Sequence, residues 1–238
     1  LRAGVETYHA LKAELKKDGL LGGIGDEGGF APNLPANEDG LKYMVRAIEG
    51  AGYSTEEIGI ALDVASTEFL VDDGYRMDGN VLSSDDLVEM YGGWLDEYPI
   101  LSIEDGFGED DWRGWAAFTK TYGHRVQTVG DDLFVTQSER LSQGIELGAA
   151  NAMLVKVNQV GTVSETLEAM DLASTNGMNN VVSHRSGESE DVTIADFAVG
   201  TRAGQIKTGA PARSDRVAKY NQLLRIAEDV HEYRSPFN

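Results

Sequence analysis

Apolar residues recur every three to four positions in eight stretches of the chain, and this period predicts amphipathic α-helices. The predicted helices cover residues 4–17, 38–51, 84–97, 110–122, 137–147, 163–174, 192–202 and 214–232. Several of them begin at residues that can cap the free N–H groups of a first turn. These candidate caps are Asn37, Ser84 and the capping box of Thr162 with Glu165.

Short apolar runs lie between the helical stretches, at residues 58–62, 100–103, 126–129, 152–155, 181–183 and 205–207. Runs of this kind are typical of buried strands in a parallel sheet that helices cover on both faces. No Ser/Pro-rich linker and no low-complexity tract interrupts the alternation. We therefore expect one α/β domain over residues 1–238.

Each apolar run ends at, or is followed by, a chemically active side chain: Asp63, Glu104, Asp131, Lys156, His184 and Lys207. From Glu104 onward these residues are 27, 25, 28 and 23 positions apart, about the length of one strand, one helix and two loops. In a (β/α) barrel the carboxyl ends of all strands meet at one mouth. An open doubly wound sheet would not gather six strand ends in this way. The spacing therefore predicts a TIM-type (β/α) barrel.

Each of these residues has a purely structural interpretation when it is taken alone. An acid at a strand end can cap the following helix, and a buried Lys can pair with a carboxylate. Three carboxylates brought together would, however, repel one another unless a cation lay among them. Oxygen ligands in a chain without Cys favour a hard ion, and open coordination positions favour Mg²⁺ over Ca²⁺. A nearby Lys can then take a proton when neutral or hold an anion when charged.

The composition excludes several classes of partner. The 238 residues include 40 Asp and Glu against 20 Lys and Arg, which gives a formal net charge of −20. Neutralising phosphates needs a basic surface, so this charge argues against nucleic acids and anionic membranes as partners. Only 8 of the 20 basic residues are Lys. Adaptation to high salt and ordinary solubility both explain this balance and stay open.

The absence of Cys excludes disulfides and thiolate metal sites and favours a cytoplasmic location. No apolar run is long enough to cross a bilayer, and residues 1–10 lack the features of a signal peptide. The chain begins without Met, at Leu1, at the head of a helical pattern that has no cap. We therefore expect it to be a fragment.

Six motifs, taken together, resemble the enolase family over essentially the whole chain, in order and with matching spacing. They are Gly25-Asp26-Glu27-Gly28-Gly29, Ser102-Ile103-Glu104-Asp105, Gly130-Asp131-Asp132-Leu133, Leu154-Val155-Lys156-Val157-Asn158-Gln159, Ser183-His184-Arg185-Ser186-Gly187-Glu188 and Gln205-Ile206-Lys207-Thr208-Gly209-Ala210-Pro211. Any single motif is weak evidence, whereas the ordered set is specific.

The resemblance implies a lyase of glycolysis and gluconeogenesis that reversibly dehydrates 2-phosphoglycerate to phosphoenolpyruvate. It implies a Mg²⁺ ion held by Asp63, Glu104 and Asp131, and the last two would also face the substrate. Lys156 would remove the carbon-bound proton of the substrate. Glu27 would protonate the leaving hydroxyl group.

Four further residues would bind the substrate in this resemblance: His184, Arg185, Ser186 and Lys207. Arg185 and Ser186 would hold the phosphate, for which the planar fork of an Arg is well suited. Lys207 would lie near the substrate carboxylate. The resemblance also implies a homodimer.

The resemblance makes residues 1–238 the C-terminal barrel domain, without the family's N-terminal α+β domain and first barrel segment. With the segment around Gly25 and Asp26 counted as a strand, seven of the eight barrel strands are expected. Gly106 stands where the family commonly has Pro, which alters a loop and leaves Glu104 a credible ligand. The fragment alone is expected to be inactive.

Two alternatives stay open. One is another enzyme of the enolase superfamily that acts on a different carboxylate, and the other is a non-catalytic barrel fragment. Residues 183–188 discriminate against the first alternative, because an unphosphorylated acid has no group that a phosphate pocket could bind.

Overall fold

The computed structural model describes residues 1–237, which fall into two compact units. One unit is Gly59–Val181, and the other combines Leu1–Ile58 with the chain from Val182 onward. The expectation of one domain over residues 1–238 stays a prediction. Among the described residues, no helix has the length and apolar character needed to cross a membrane.

The described part of the chain alternates between helices and strands. The helices are α1 (Arg2–Lys17), α2 (Glu38–Gly50), α3 (Ser84–Glu97), α4 (Trp112–Tyr122), α5 (Ser138–Leu147), α6 (Val157–Val160), α7 (Val163–Thr175), α8 (Thr193–Gly200) and α9 (Ser214–Ile226). The strands are β1 (Ile60–Asp63), β2 (Leu70–Val71), β3 (Gly74–Met77), β4 (Asn80–Leu82), β5 (Ile100–Glu104), β6 (Gln127–Gly130), β7 (Ala152–Val155), β8 (Asn179–Ser183) and β9 (Ile206–Lys207). The eight predicted helices and six predicted strands are therefore confirmed, with shifts of a few residues at their ends.

In the unit Gly59–Val181, β1, β5, β6 and β7 lie side by side in chain order and run parallel. Asp63 lies opposite Glu104, and Glu104 lies opposite Val129. Every residue of β6 and β7 is buried, and Val129, Ala152 and Leu154 belong to one apolar cluster. Because parallel strands end at the same edge of a sheet, the residues that follow these strands are brought to that edge.

Strand β8 begins in the unit Gly59–Val181 and ends in the other unit. Its last two residues pair in parallel with β9, with Val182 opposite Ile206 and Ser183 opposite Lys207. In the same unit α1 packs on α2 and α8 packs on α9. This pairing places the residue after β8 beside the end of β9.

A three-stranded antiparallel sheet of β2, β3 and β4 was not predicted from the apolar pattern. Asp78 and Gly79 join β3 to β4 with φ values of 49° and 80°. Positive φ at both central residues is the reason that an Asp-Gly pair favours a tight hairpin. The pair was visible in the sequence, but strands of two to four residues are too short to show a period.

The segment around Gly25 and Asp26 was expected to be a barrel strand, and this prediction is wrong. The backbone forms only an isolated bridge between Ile24 and Phe30. Between these residues the Gly28 N–H donates to the Gly25 carbonyl at 2.9 Å, so the chain turns back on itself. Gly28 has a φ of 85°, which a residue with a Cβ rarely adopts.

Two predicted caps are also wrong, and one is confirmed. Asn37 makes no capping bond with its side chain, since its own backbone is already helical. Helix α3 is capped by Ser83 rather than Ser84, and Ser83 forms a capping box with Asp86. Thr162 caps α7 by accepting the Glu165 N–H, and the Glu165 carboxylate accepts the Thr162 hydroxyl, so the cap is confirmed without the reciprocal backbone bond of a capping box.

Helix α9 ends at Ile226 rather than at residue 232. Beyond this point Val230 and Tyr233 are 48% and 75% exposed, so they bury no apolar face that would stabilise further turns. The short helix α6 was not predicted, because its four residues span hardly more than one turn.

Candidate active site

The parallel register places two acids opposite each other at the carboxyl ends of neighbouring strands. Asp63 is the last residue of β1 and Glu104 is the last residue of β5. Asp131 follows directly after β6, the next strand in the sheet. Glu104 and Asp131 are buried, whereas Asp63 is exposed. The structure thus places the three residues predicted as metal ligands at the ends of three adjacent strands.

A tighter carboxylate group, which we call the aspartate cluster, consists of Asp105, Asp131 and Asp132. An oxygen of each lies within 4.8 Å of the others. The Asp105 carboxylate accepts the backbone N–H groups of Asp131 and Asp132, both at 2.9 Å. Asp105 itself has a φ of 43°, in the left-handed region that residues other than Gly rarely adopt. The turn after β5 is therefore shaped to direct this carboxylate at the loop after β6.

Burial dominates the electrostatics of two members of the aspartate cluster, Asp105 and Asp132. It raises the pKa of Asp105 to about 7, with the neighbouring charges acting in the same sense and the two N–H groups opposing them. Burial also raises the pKa of Asp132, and the charge of Asp131 adds to the effect. A bound cation relieves such crowding of buried acids. With its oxygen-only donors, the cluster could hold a metal ion.

Lys156 follows β7, and its ammonium group donates to Asp131 Oδ2. The two side chains are only 15% and 11% exposed. Gln159 donates to the other oxygen of Asp131 at 3.2 Å, and the Lys156 N–H donates to the Thr136 hydroxyl at 3.0 Å. The Thr136 hydroxyl donates in turn to Gln159 at 2.7 Å. Thr136 and Gln159, which are hydrogen-bonded to each other, therefore hold Lys156 and Asp131 as a pair.

In the other compact unit, Glu27 and His184 form a second ionisable pair. His184 Nε2 lies 3.1 Å from Glu27 Oε2, and the Ser186 hydroxyl lies 3.4 Å from Glu27 Oε1. The hydrogen bond from His184 lowers the pKa of Glu27 to about 2, aided by the positive charges of Lys207 and Arg216 and opposed by burial. Glu27 is consequently a carboxylate at neutral pH.

The turn that carries Glu27 is anchored by close backbone contacts. The Ala210 N–H donates to the Glu27 carbonyl at 2.9 Å. A Cβ at Gly28 would lie 2.6 Å from the Ala212 carbonyl oxygen, and one at Gly209 would lie 2.8 Å from the Glu27 carbonyl oxygen. Both positions therefore need Gly, because a side chain there would clash with the neighbouring backbone. Without side chains at these positions, the turn can lie directly against the segment after β9.

Arg185 and Ser186 belong to residues 184–189, which we call the β8 loop. The Arg185 N–H donates to the Glu188 carboxylate at 3.3 Å, and the His184 N–H donates to the Lys207 carbonyl at 2.9 Å. The predicted site residues of this unit are thus brought together around one loop. The remaining predicted site residues lie together at the strand ends of the unit Gly59–Val181.

Among the residues that the sequence analysis did not single out are two acids of the aspartate cluster and two cations of α9. Asp105 and Asp132 stand directly beside predicted ligands, and this adjacency was a visible signal. Arg216 and Lys219 are buried cations of α9, and nothing in the apolar pattern distinguishes them from surface residues of the same helix.

The fold and the strand-end residues define a class of protein. It is a parallel β/α protein of the TIM-barrel type, in which carboxylates able to hold a metal ion stand beside a Lys at the strand ends. A family model described as "Enolase, C-terminal TIM barrel domain" matches residues 1–235. The chain therefore belongs to the enolase family, and the barrel fold expected from the strand-end spacing is confirmed.

Two curated relatives carry the name "Enolase". The protein from Kineococcus radiotolerans is 58% identical over 233 residues, which cover 98% of this chain and 54% of the relative. The protein from Beutenbergia cavernae is 56% identical over 231 residues, which cover 97% of this chain and 54% of the relative. The chain thus spans about half the length of the curated relatives that it matches.

Proposed function

We propose that this chain is the C-terminal barrel portion of an enolase, and that the whole protein reversibly dehydrates 2-phosphoglycerate to phosphoenolpyruvate. The observation that carries the proposal is the match to the enolase barrel family over residues 1–235, with relatives named "Enolase" at 56% and 58% identity. The ionisable groups found at the strand ends are of the kind that this reaction needs.

We propose Mg²⁺ as the metal ion, with Asp63, Glu104 and Asp131 as its ligands. The donor set supports a hard cation, because these three residues and the neighbouring Asp105 and Asp132 offer only oxygen. When bound, the ion would neutralise the substrate carboxylate and make the adjacent carbon more acidic.

Lys156 is the proposed base. It must be neutral to accept the proton from C2 of the substrate, so its bond to Asp131 has to open first. Asp131 would release Lys156 if its carboxylate held the metal ion instead. The adjacent Thr136 and Gln159 keep the backbone of Lys156 and the carboxylate of Asp131 in place during this exchange.

Glu27 is the proposed acid for the leaving hydroxyl group. Its pKa of about 2 means that it must gain a proton before it can donate one. A substrate with a phosphate and a carboxylate brings negative charge, and negative charge raises the pKa of a nearby carboxyl group. His184 Nε2, which lies 3.1 Å from Glu27 Oε2, would hold the carboxyl group in place for this step.

The β8 loop supplies the proposed anion-binding groups. Arg185 and Ser186 would hold the phosphate, and Lys207 would hold the substrate carboxylate. His184, Glu104 and Asp131 complete the proposed set of substrate contacts. A homodimer and a cytoplasmic location are part of the proposal; the homodimer rests on the family alone, and the location rests on the absence of Cys.

The deciding experiment is a turnover assay on the full-length protein with Mg²⁺, in which phosphoenolpyruvate is followed by its ultraviolet absorbance. We expect turnover of 2-phosphoglycerate and none of unphosphorylated glycerate. Turnover of a different carboxylic acid without turnover of 2-phosphoglycerate would favour another activity of the superfamily. No turnover of either compound by a folded, Mg²⁺-loaded protein would contradict the proposal.

A further inference from the structure

Helix α9 carries two cations on one face, and both are buried in the protein. The side chains of Arg216 and Lys219 are 0% and 1% exposed, and the two residues lie three positions apart on the helix. A buried charge is costly unless its donors are paired. The partners of these two residues therefore indicate what the charges do in this fold.

Arg216 binds to the backbone on both sides of the Glu27–His184 pair. Its guanidinium donates to the carbonyls of Arg185 at 2.7 Å and Ser186 at 2.6 Å, and to the carbonyl of Asp26 at 3.0 Å. One side chain thus ties the β8 loop to the turn that carries Glu27. Asp215 lies 3.2 Å from Nε and balances the charge.

Arg216 also determines the tautomer of His184. Its Nη1 donates to His184 Nδ1. A guanidinium group has no lone pair to offer, so Nδ1 must accept and carries no proton. The proton of the neutral imidazole is therefore assigned to Nε2, which faces Glu27 Oε2 at 3.1 Å.

Lys219 holds the far end of the same loop. Its ammonium donates to Glu188 Oε2 at 2.7 Å, to the Asp215 carbonyl at 2.6 Å and to the Ser189 carbonyl. Glu188 in turn accepts the N–H groups of Arg185 at 3.3 Å and Ser189 at 3.1 Å. The β8 loop is consequently held in place by two residues of helix α9, Arg216 and Lys219.

We propose that Arg216 is a positioning residue that keeps His184 as the neutral Nε2–H tautomer and holds the β8 loop against the Glu27 turn. The proposal rests on the proposed function in so far as Glu27, His184 and the β8 loop act on the substrate. Lys219 performs the simpler task of fixing Glu188 and thereby the backbone of Arg185. Neither cation touches the reacting atoms.

The test compares Arg216→Met and Arg216→Lys in the full-length protein, with nitrogen-15 NMR of labelled histidines and turnover of 2-phosphoglycerate as readouts. His184→Gln identifies the His184 signals. In the parent we expect a single tautomer, protonated at Nε2. Arg216→Met should lose this single tautomer and lower kcat about 100-fold, because His184 and the Glu27 turn would no longer be held in place relative to the substrate.

Arg216→Lys separates the two roles of the guanidinium. A lysine can keep one donor on His184 Nδ1 but cannot reproduce the fork that binds Arg185, Ser186 and Asp26. We expect the parent tautomer and a KM about 10-fold higher. Arg213→Gln is the control, since Arg213 lies just before α9, is 45% exposed and pairs with Asp215. It should leave the tautomer and the kinetic constants within about twofold of the parent.

A folded Arg216→Met variant with the parent tautomer and the parent kcat would overturn the proposal. If Arg216→Met does not fold, Arg216→Lys decides, and unchanged kcat and KM in that variant would overturn it. An inactive parent would refute the proposed function and leave the tautomer comparison to decide the role of Arg216.

Discussion

At the scale of single residues, the structure pairs each of the two proposed proton-handling residues with an ionisable partner. Lys156 is paired with Asp131, and Glu27 is paired with His184. In both pairs the resting arrangement is the wrong one for the proposed chemistry, because a base must be neutral and an acid must be protonated. The proposed reaction therefore requires that Lys156 and Glu27 both leave these resting arrangements.

Variants of the two proton-handling residues, Lys156 and Glu27, should lose different steps of the reaction in the full-length protein. Lys156→Ala should abolish turnover and also the exchange of the substrate C2 hydrogen with solvent deuterium, because the proton never leaves. Glu27→Gln should abolish turnover but keep the exchange, because the proton leaves and returns before the hydroxyl group departs. Deuterium incorporation measured by NMR, beside a turnover assay, distinguishes the two outcomes.

This assignment has a clear contrary result. Exchange at near the parent rate in Lys156→Ala would show that another residue is the base, and Lys207 would be the next candidate. A Glu27→Gln variant with only modest losses in both measurements would show that Glu27 has a pairing role alone. Circular dichroism of each variant serves as the control for folding.

Metal binding should depend on Asp131. Mg²⁺ should raise the melting temperature of the full-length protein, because an ion that binds only the folded state stabilises it by mass action. Asp131→Asn should lose most of this rise, since one of three proposed carboxylate ligands is gone. Melting curves with Mg²⁺ and with EDTA test this, and an unchanged rise in Asp131→Asn would place the metal elsewhere.

The Glu27–His184 bond should make the free energy of unfolding depend on pH. Glu27 has a pKa of about 2 in the folded protein, against an ordinary value of 4.5. Because the folded pKa is the lower one, its stabilising effect is complete above pH 4.5 and is lost as the pH falls towards about 2. The effect is reduced by solvent, since the Glu27 side chain is 42% exposed.

The measurement is urea unfolding of the parent and of Glu27→Gln at about pH 6 and about pH 3.5. The difference in unfolding free energy between the two proteins should shrink as the pH falls. A difference that stays constant between these conditions would show that the bond does not stabilise the folded state.

At the scale of the secondary-structure elements, long amphipathic helices and buried parallel strands were predictable, and short or bent segments were not. Helices such as α2 and α7 repeat their apolar positions over more than three turns, which leaves a clear period. The turn of Gly25 and Gly28 has no period, and its path depends on backbone contacts with Ala210 and Ala212. Contacts of this kind cannot be read from neighbouring residues.

The capping box of α3 gives a prediction for an element. Ser83 Oγ accepts the Asp86 N–H at 3.2 Å, and Asp86 accepts the Ser83 N–H at 2.8 Å. Ser83→Ala should lower the free energy of unfolding by about 1 kcal/mol, because it leaves an N–H of the first turn without its partner. Urea unfolding of the full-length protein measures this. Ser164→Ala, an exposed change in the first turn of α7, is the control, and an equal loss in both variants would contradict the capping role.

At the scale of the whole molecule, the chain matches 54% of the length of each relative named "Enolase". The activity proposed here is therefore an activity of the longer protein.

Residues 1–238 expressed alone should show no turnover of 2-phosphoglycerate, whereas the full-length protein should be active. Without the remaining segment, strand edges stay unpaired and water enters the site. The assay needs a fold control, for which circular dichroism and a cooperative melt are suitable. Substantial turnover by the purified chain would disprove the prediction.

The sequence by itself determined the alternation of helices and strands, the residues at the strand ends and the family. These follow from local periodicity and from motifs whose members are close together in the chain. Tertiary structure decided which acids share one cluster and which residue pairs with Lys156. It also decided that Arg216 lies against His184 Nδ1, which determines the ring nitrogen that carries the proton. Glu27 and His184 are 157 residues apart in sequence, and only folding brings them within 3.1 Å. Burial and hydrogen bonding then shift the pKa values of Asp105 and Glu27, and neither is a property of a residue's neighbours in the chain.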